Sequence, residues 1–579
     1  LQSHLALHPT LEQQFSAFHS CPSFQPNATH IPHPSLWRFL SVNPYRSNLS
    51  EAEGTPPASL VLVPTIPLPE PTLPPPIAAA TLGEIWLTDE LLFNYQRCPR
   101  RAFLDACGDP SLRDRPSDYL LKLRQDSLIH RHEVLSEAPF EQPNYPKRDW
   151  LAGAEATLAL MQQGVDRIAG GVLLLALENG INLVSCPDLL VKQPGYSIWG
   201  DWVYVPVDIR LGKRPKLDYQ IAAAFHAYVL AGIQGIWSET SWLILRQRGA
   251  YAVNLLEVAP RMEELLQSCM EALLQSLEPE VFIAHSRCDL CHWFSHCHDL
   301  AQRDRHLSLL PGVTPSRYAQ LKALGLVTLE AIATATPKRL ESLPGFGAQV
   351  ATRLIRQAQA TLYDQAIAHY DALVEPPVPL LSRLELPTAP IELYFDIEAA
   401  PEKNLVYLHG VLVVDRLAQT ETFYPLLAEN QQEEEAVWQQ FLALVWQYPD
   451  APIFHFCPYE VQTVKRLGDY YGSPAALIEP LLTRFVDLHE RVTRVAILPV
   501  ESYALKPIAR WLGFDWRDAD ANGAQSICWY DQWLQTGDRS FLNAILRYNE
   551  DDCRATYRVK DWLVEFCQGD LITPHPAPH

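Results

Sequence analysis

Asp396 and Glu398 stand two apart in IELYFDIE, whose alternation predicts a strand, so both carboxylates would point to one face of a sheet. Far downstream, Tyr548 and Asp552 stand four apart in AILRYNEDDCRATYRVKDWL, whose apolar spacing predicts a helix, and they would share one side of it. Between them, HFCPYEVQTVKRL opens a helix on an aromatic followed by Glu460. Carboxylates gathered from a strand and two helices, beside a tyrosine, suit hard divalent cations such as Mg²⁺ or Mn²⁺. Two such ions about 3.5–4 Å apart clamp the attacking and leaving oxygens of a phosphoryl group. The chemistry to expect here is hydrolysis of phosphodiesters. Glu550 and Asp551, within the same helix, read instead as a solvated acidic face.

A second constellation is made of cysteine. Cys98 lies in NYQRCPRRAFLD, and Cys288, Cys291 and Cys297 lie in HSRCDLCHWFSHCHDL. Four thiolates suit a [4Fe–4S] cluster or a structural Zn²⁺, and His296 and His298 are close enough to substitute as zinc ligands. Cys107, Cys186 and Cys269 read as small core residues. A third signal is glycine within helical sequence. LPGFGAQVATRL carries Gly345 and Gly347, and PGVTPSRYAQL carries Gly312 and Thr314. Such turns let a backbone approach a phosphate and present free N–H groups at the start of the next helix.

The elements that must position these groups need several domains, because 579 residues exceed one hydrophobic core. Residues 1–82 are Pro-rich and read as weakly structured. Residues 83–304 alternate strand and helix patterns and predict a mixed α/β domain, residues 305–365 a small all-α unit, and 366–388 a linker. Residues 389–570 form a last α/β domain, opening on the Asp396 strand, with further strands at VYLHGVLVV, ETFYPL and PIFHF and a helix from about Pro458. The net charge of −21 opposes wholesale coating of nucleic acid, although RCPRR (97–101) and RLGKRPK (210–216) are local basic stretches. No apolar run approaches the roughly 18 residues of a membrane span. Twelve cysteines spread along a chain with no visible secretory signal point to a reducing compartment and one metal site.

The set Asp396, Glu398, Glu460, Tyr548 and Asp552 resembles the DEDD exonucleases of the RNase H-like superfamily, in their tyrosine subtype, and is most similar to the YprB-type domain. Glu460 departs from the aspartate usual in the second motif, reaching one methylene further. The resemblance implies two divalent ions held by the four carboxylates, with Tyr548 orienting the water or the scissile phosphate. Asp487 in FVDLHERV and Lys506 in SYALKPIARWLGF resemble substrate-side positions, Lys506 as a phosphate contact. The cysteine spacing resembles the iron–sulfur staple of RecB-like nucleases, which implies a [4Fe–4S] cluster tying the first helix of the domain to its last segment. Within the stapled segment, Asp188 and Asp208 resemble the two acids of a PD-(D/E)xK core, and Gln220 the glutamine of the following helix. Glu133, His130 or His132 would supply the early helix ligand. The lysine position holds Arg210, which stays protonated and cannot act as a base, and Lys213 is the nearest substitute. The two glycine turns resemble a tandem helix-hairpin-helix.

The order of these parts resembles the RecB-like putative nucleases of bacteria. It implies a cytoplasmic, metal-dependent 3′→5′ exonuclease acting on DNA in repair or processing. Two other readings stay open: a ribonuclease using the same carboxylates, and a non-catalytic nucleic-acid-binding adaptor for a helicase.

Overall fold

The computed structural model describes residues 85–369, apart from Arg248, and 381–568, apart from Arg383. The Pro-rich region over 1–82 and the middle of the 366–388 linker lie outside the described residues. The chain enters on β1 (Ile85–Thr88) and passes straight into α1 (Asp89–Arg97), where the Thr88 hydroxyl accepts from Leu91 N at 3.1 Å. A break at Cys98 separates α1 from α2 (Pro99–Cys107), which starts on proline, the residue best tolerated in a first turn. Next come α3 (Asp118–Ser136), α4 (Trp150–Gln162), β2 (Arg167–Ala169), β3 (Leu173–Ala176), β4 (Ile181–Ser185), β5 (Leu189–Ser197) and β6 (Gly200–Arg210). The helix α5 (Leu217–Gln234) crosses from β6 to its parallel neighbour β7 (Thr240–Leu245), followed by β8 (Gly249–Asn254), α6 (Leu255–Gln275) and α7 (Phe294–Arg303). The strands form a five-stranded sheet in the order β2-β5-β6-β7-β8 and a three-stranded sheet in the order β1-β4-β3. The run of small residues Ala222, Ala223, Ala224 and Ala227 on α5 is fully buried, so the helix lies close against both sheets. This is the mixed α/β arrangement that the alternating sequence implies.

A helical region follows, with α8 (Pro315–Ala323), α9 (Leu329–Ala333), α10 (Pro337–Glu341) and α11 (Gly347–Tyr363) around Leu307, Leu321, Ile332, Leu340 and Leu354. The short β9 (Ile367–Ala368) then leaves it.

The last region runs β10 (Ile391–Ala400), β11 (Leu405–Asp415), β12 (Thr420–Leu427), α12 (Glu434–Val445), β13 (Ile453–His455), α13 (Tyr459–Tyr470), α14 (Ala475–Leu482), β14 (Phe485–Asp487), α15 (Leu488–Val495), β15 (Ala496–Ile497), α16 (Leu505–Trp511), α17 (Gly523–Thr536) and the long α18 (Arg539–Gln568). Its sheet order is β12-β11-β10-β13-β14, with β10, β11 and β12 antiparallel and β13 and β14 parallel to β10. Alternation along β10 decides the two faces. Leu393, Phe395 and Ile397 pack with Trp438 and Phe441 of α12. Tyr394 faces the other way, into the core that holds Ile508, Tyr548, Val559 and Leu563, so Asp396 and Glu398 are turned toward α18. Burying a side chain such as Phe395 stabilises the sheet by about 1.5–3 kcal/mol.

The regions touch at several places. β9 pairs antiparallel with β15, joining the helical region to the last one. Lys122 of α3 reaches Asp126 at 2.8 Å, Asp531 of α17 at 3.0 Å and Glu402, in the β10–β11 turn, at 3.2 Å. Among the described residues no helix is long and apolar enough to cross a membrane.

Candidate active site

One carboxylate oxygen from each of Asp396, Glu398 and Asp552 lies within 4.8 Å of the others. Among the described residues this is the one group of three or more His, Cys, Asp or Glu side chains gathered so closely. Burial, reinforced by the neighbouring acids, raises all three: Asp396 and Glu398 stand well above the usual carboxylate range, and Asp552 is pushed up to about 7. Three buried acids held this close are costly to ionise, and divalent cations would offset that cost.

Each acid is oriented by a neighbour. Asn549, one turn before Cys553 on α18, donates from its amide to Asp396 Oδ2 at 2.6 Å. It can do so because Asp396 pairs across the sheet with Gly410, where a Cβ would lie 1.6 Å from Asn549 Oδ1. Trp516 Nε1 donates to Asp552 Oδ1 at 2.8 Å. Glu398 accepts from Ser526 of α17 and from Tyr407 of β11, which are themselves 2.8 Å apart. The buried Tyr548 hydroxyl donates to Asp552, and burial together with that charge keeps its proton on far above the usual range. Lys506 places its ammonium 5.0 Å from the centre of the Tyr548 ring and 5.2 Å from that of Trp516, and donates to Ala521 O. Burial lowers its pKa, and Asp552 and Glu398 act against that drop. Lys506 is therefore part of this site, whereas a surface lysine is the usual case for such a sequence.

Glu460 departs from expectation. Its carboxylate stays outside the group of three and lies 3.3 Å from His455 Nδ1, which also contacts Cys457 O at 2.7 Å. Its charge still raises Asp396. Asp487 serves as a cap: its Oδ1 accepts from Cys457 N, His489 N and Glu490 N, fixing the start of α15 and the turn before Glu460. The solvated acidic face is also corrected. Asp551 is buried, accepting from Arg517 N at 2.9 Å and pairing with its guanidinium at 2.8 Å, while Glu550 pairs with both Arg517 and Arg554. These acids anchor the loop that carries Trp516.

In the helical region, Gly312, Gly345 and Gly347 are exposed and take positive φ of 90°, 79° and 71°. A Cβ at Gly345 or Gly347 would meet nothing within 4 Å, so positive φ alone accounts for these glycines. Arg317 donates to Gly312 O at 2.7 Å and Gly345 O at 3.1 Å, holding the two turns side by side. Thr314 caps α8 by accepting from Arg317 N.

Residues 393–564 match the RNase_H_2 family of the RNase H superfamily. Residues 304–360 match the SAM-like helix-hairpin-helix tandem. The C-terminal region is an RNase H superfamily domain, and the helical region is a helix-hairpin-helix tandem. No curated protein matches the chain.

The N-terminal α/β region is outside both matches, and its acids are already paired. Asp188 accepts from Ile209 N at 2.6 Å and pairs with Arg131 at 2.8 Å. Asp208 pairs with Arg210 at 3.1 Å and His226 at 3.2 Å, and His226 contacts Ser185 Oγ at 2.7 Å. Burial would raise Asp208, but Arg210 and His226 more than reverse it and hold it low. Two arginines and a histidine thus stand where a PD-(D/E)xK site would hold cations. Gln220 donates to Pro215 O at 2.8 Å, closing its own turn. Lys213, His132 and Glu133 are exposed, and His130 is buried with its pKa lowered by that burial. Most of the basic stretches are likewise committed: Arg97 faces Asp218, Arg100 pairs with Glu278, and Arg101 lies 3.8 Å from Asp105.

Cys98, Cys288, Cys291 and Cys297 are half-buried, and among the described residues no three of their sulfurs gather within 4.8 Å of one another. Burial raises Cys288, Cys291 (to about 11) and Cys297, and the charge of Cys98 bears on all three. Asp105 of α2 binds His292 Nε2 at 2.6 Å and Trp293 Nε1 at 2.9 Å beside them. His298 is turned away to Glu501 at 2.8 Å, so it is not poised as a ligand with the thiols. Cys269 is buried as expected, Cys186 is half-buried, and Cys107 is exposed, against the core reading.

The sequence reading passes over Asn549, Trp516, Tyr407 and Ser526. One signal for the first was available. Gly410 interrupts the apolar strand VYLHGVLVV, and a glycine inside a strand marks a close approach of something else.

Proposed function

We propose that the chain is a metal-dependent nuclease whose RNase H-like domain hydrolyses DNA as a 3′→5′ exonuclease. The observation that carries this is the buried group Asp396, Glu398 and Asp552, with Tyr548 bonded to the last of them. The donor set fits divalent cations: hard oxygen ligands, mutually repelling, on a rigid strand and a long helix. Mg²⁺ or Mn²⁺, when bound as a pair, supplies a hydroxide-like nucleophile at neutral pH and neutralises the leaving oxygen. Asp396, Glu398 and Asp552 would hold the ions, with Glu460 able to join by leaving His455. Tyr548, which keeps its proton, would turn its hydroxyl from Asp552 to orient the attacking water or a phosphate oxygen once the acids hold metal. Lys506 is within the same site to draw in a phosphate. Support for 3′→5′ polarity is the Asp-x-Glu and Tyr-x-x-x-Asp pattern, which resembles the tyrosine-type exonucleases. The helix-hairpin-helix tandem supports a nucleic-acid substrate gripped through its backbone.

The four cysteines are proposed to hold a [4Fe–4S] cluster that staples the start of α2 to residues 288–297, which run into α7, with zinc as the alternative metal. The support is their spacing, which resembles the RecB-type staple, the bearing of the Cys98 charge on the other three, and the engagement of His298 elsewhere. Free thiols at every described cysteine suit a reducing bacterial cytoplasm. The N-terminal region itself is proposed as a retained binding fold, because its acids already carry protein cations, with a helicase proposed as a partner of the chain.

The test is incubation of the pure protein with 5′-labelled DNA and RNA strands in Mg²⁺, Mn²⁺ or EDTA. A ladder shortening from the 3′ end of DNA, lost in EDTA, is expected. Preference for RNA would favour the ribonuclease, and binding without hydrolysis in either metal would favour the adaptor. Anaerobic purification should give about four irons per chain. Zinc without iron would replace the cluster with a zinc staple.

A further inference from the structure

A buried bracket joins the helix-hairpin-helix tandem to the acidic site. Gln357 of α11, 1% exposed, donates to Leu498 O at 2.6 Å and accepts from the Tyr503 hydroxyl at 3.0 Å. The same hydroxyl accepts from Leu498 N at 3.0 Å, closing the ring of bonds. Pairing of β9 with β15 and a contact from Arg353 to Thr493 O at 3.5 Å add to the joint. The two regions are thus coupled through hydrogen bonds sheltered from water, which opposes hinge motion between them.

On the solvent side of this bracket, Arg353 is exposed and its guanidinium lies 5.9 Å from the centre of the Tyr503 ring. Three residues beyond Tyr503 comes Lys506, against Tyr548 and Trp516. From the Gly345–Gly347 turn one therefore meets, in order, the start of α11, Arg353, Tyr503, Lys506 and the carboxylate group. Gly347 to Arg353 is about 9 Å along the helix, Arg353 lies 5.9 Å from the Tyr503 ring and Lys506 5.0 Å from the Tyr548 ring, so a path through these residues is on the order of 20 Å long. Next to Lys506, past Ala521, the surface is acidic. There a cleft of about 480 Å³ is lined by Asp118, Asp518 and Asp520, and its Arg517 and Arg547 are ion-paired. Glu501, the acid beside Tyr503, is occupied by His298 and Gln302.

We propose that Arg353, Tyr503 and Lys506 form a track that leads a single nucleic-acid strand from the helix-hairpin-helix tandem to the carboxylate site at a fixed separation. The inference rests on the nuclease reading for its destination, and Gln357 is the positioning residue that keeps the separation constant. A strand stacked at roughly 3.4 Å per nucleotide needs about six nucleotides to span it. Affinity should therefore rise in a step with strand length.

The experiment measures fluorescence anisotropy of labelled DNA strands of increasing length, without divalent cation. Wild type is expected to bind strands above about six to eight nucleotides roughly tenfold tighter than shorter ones. Arg353→Ala should cut that step about fivefold and make the salt slope shallower by about 0.7. Arg353→Glu, which keeps the exposed position, should abolish the step. Gln357→Leu should smear it over a wider range of lengths. A length dependence without a step in wild type, or an unchanged step and slope in both Arg353 variants, overturns the track. Because binding is read without metal, absence of hydrolysis in a parallel Mg²⁺ assay would sink the nuclease reading alone, and the track can fail while hydrolysis persists.

Discussion

Asn549 lies directly over Gly410, and from there it holds Asp396 by a 2.6 Å hydrogen bond. The missing side chain of one strand residue thus makes room for the group that orients an acid of the candidate metal site on the next strand. Gly410→Ala should push the Asn549 amide away and leave Asp396 unoriented. Residues that orient metal ligands usually matter by about 10–100-fold, and a loss in that range is expected in both Mn²⁺ affinity and strand hydrolysis. Asn549→Ala should act similarly without the steric clash. Full activity in folded Gly410→Ala protein would show that this contact does not position the acid.

Asp552→Asn should abolish hydrolysis while the melting temperature holds or rises, because removing one of three crowded carboxyl groups removes the cost of ionising it there. Tyr548→Phe should be milder, about 10–100-fold, since it removes a positioning hydroxyl rather than a ligand. The comparison is single-turnover hydrolysis at saturating Mn²⁺. Undiminished cleavage by Asp552→Asn would move the chemistry elsewhere in the chain.

For the N-terminal region the expectation is reversed: stability changes and cleavage does not. Asp208→Asn leaves Arg210 and the buried His226 without their shared anion, at a cost of about 3 kcal/mol. The urea midpoint should fall, and cleavage of circular and linear DNA at a temperature where the variant is folded should match wild type. Loss of a distinct endonuclease activity would mean that the paired acids exchange their arginines for metal.

His409 supplies a pH signature. It is buried against Phe395, Phe441 and Trp438, and burial lowers its pKa to about 3 from an ordinary 6.5. Between these values the unfolded chain takes up a proton that the folded chain refuses. Its contribution is therefore constant above pH 6.5 and destabilises progressively below it, by about 2 kcal/mol at pH 5. His409→Phe should remove that part of the acid sensitivity. Urea midpoints of both proteins at pH 7 and pH 5 are the measurement, and parallel shifts in the two would assign the acid loss to other groups.

What the sequence by itself determined was local. The alternation of IELYFDIE puts Asp396 and Glu398 on one face, and the four-residue spacing of Tyr548 and Asp552 stacks them on one helix side, because strand and helix periods act within a few residues. The same holds for the glycines at 312, 345 and 347, whose positive φ is a property of a turn. Tertiary structure alone decided which charges meet. Glu460 turns to His455, Asp551 is buried under Arg517, and Arg131 and Arg210 neutralise the acids of the first region. It also decided that Gln357 brackets Tyr503 and that Asn549 reaches Asp396. Apart from Glu460 with His455 and Arg210 with Asp208, which are near neighbours in sequence, these partners lie on segments far apart in the chain, brought together by packing such as α3 on β6, α18 on β10 and α11 beside β15. Electrostatic and hydrogen-bond energies fall off within a few ångströms, so they depend on that packing, and no local period encodes it.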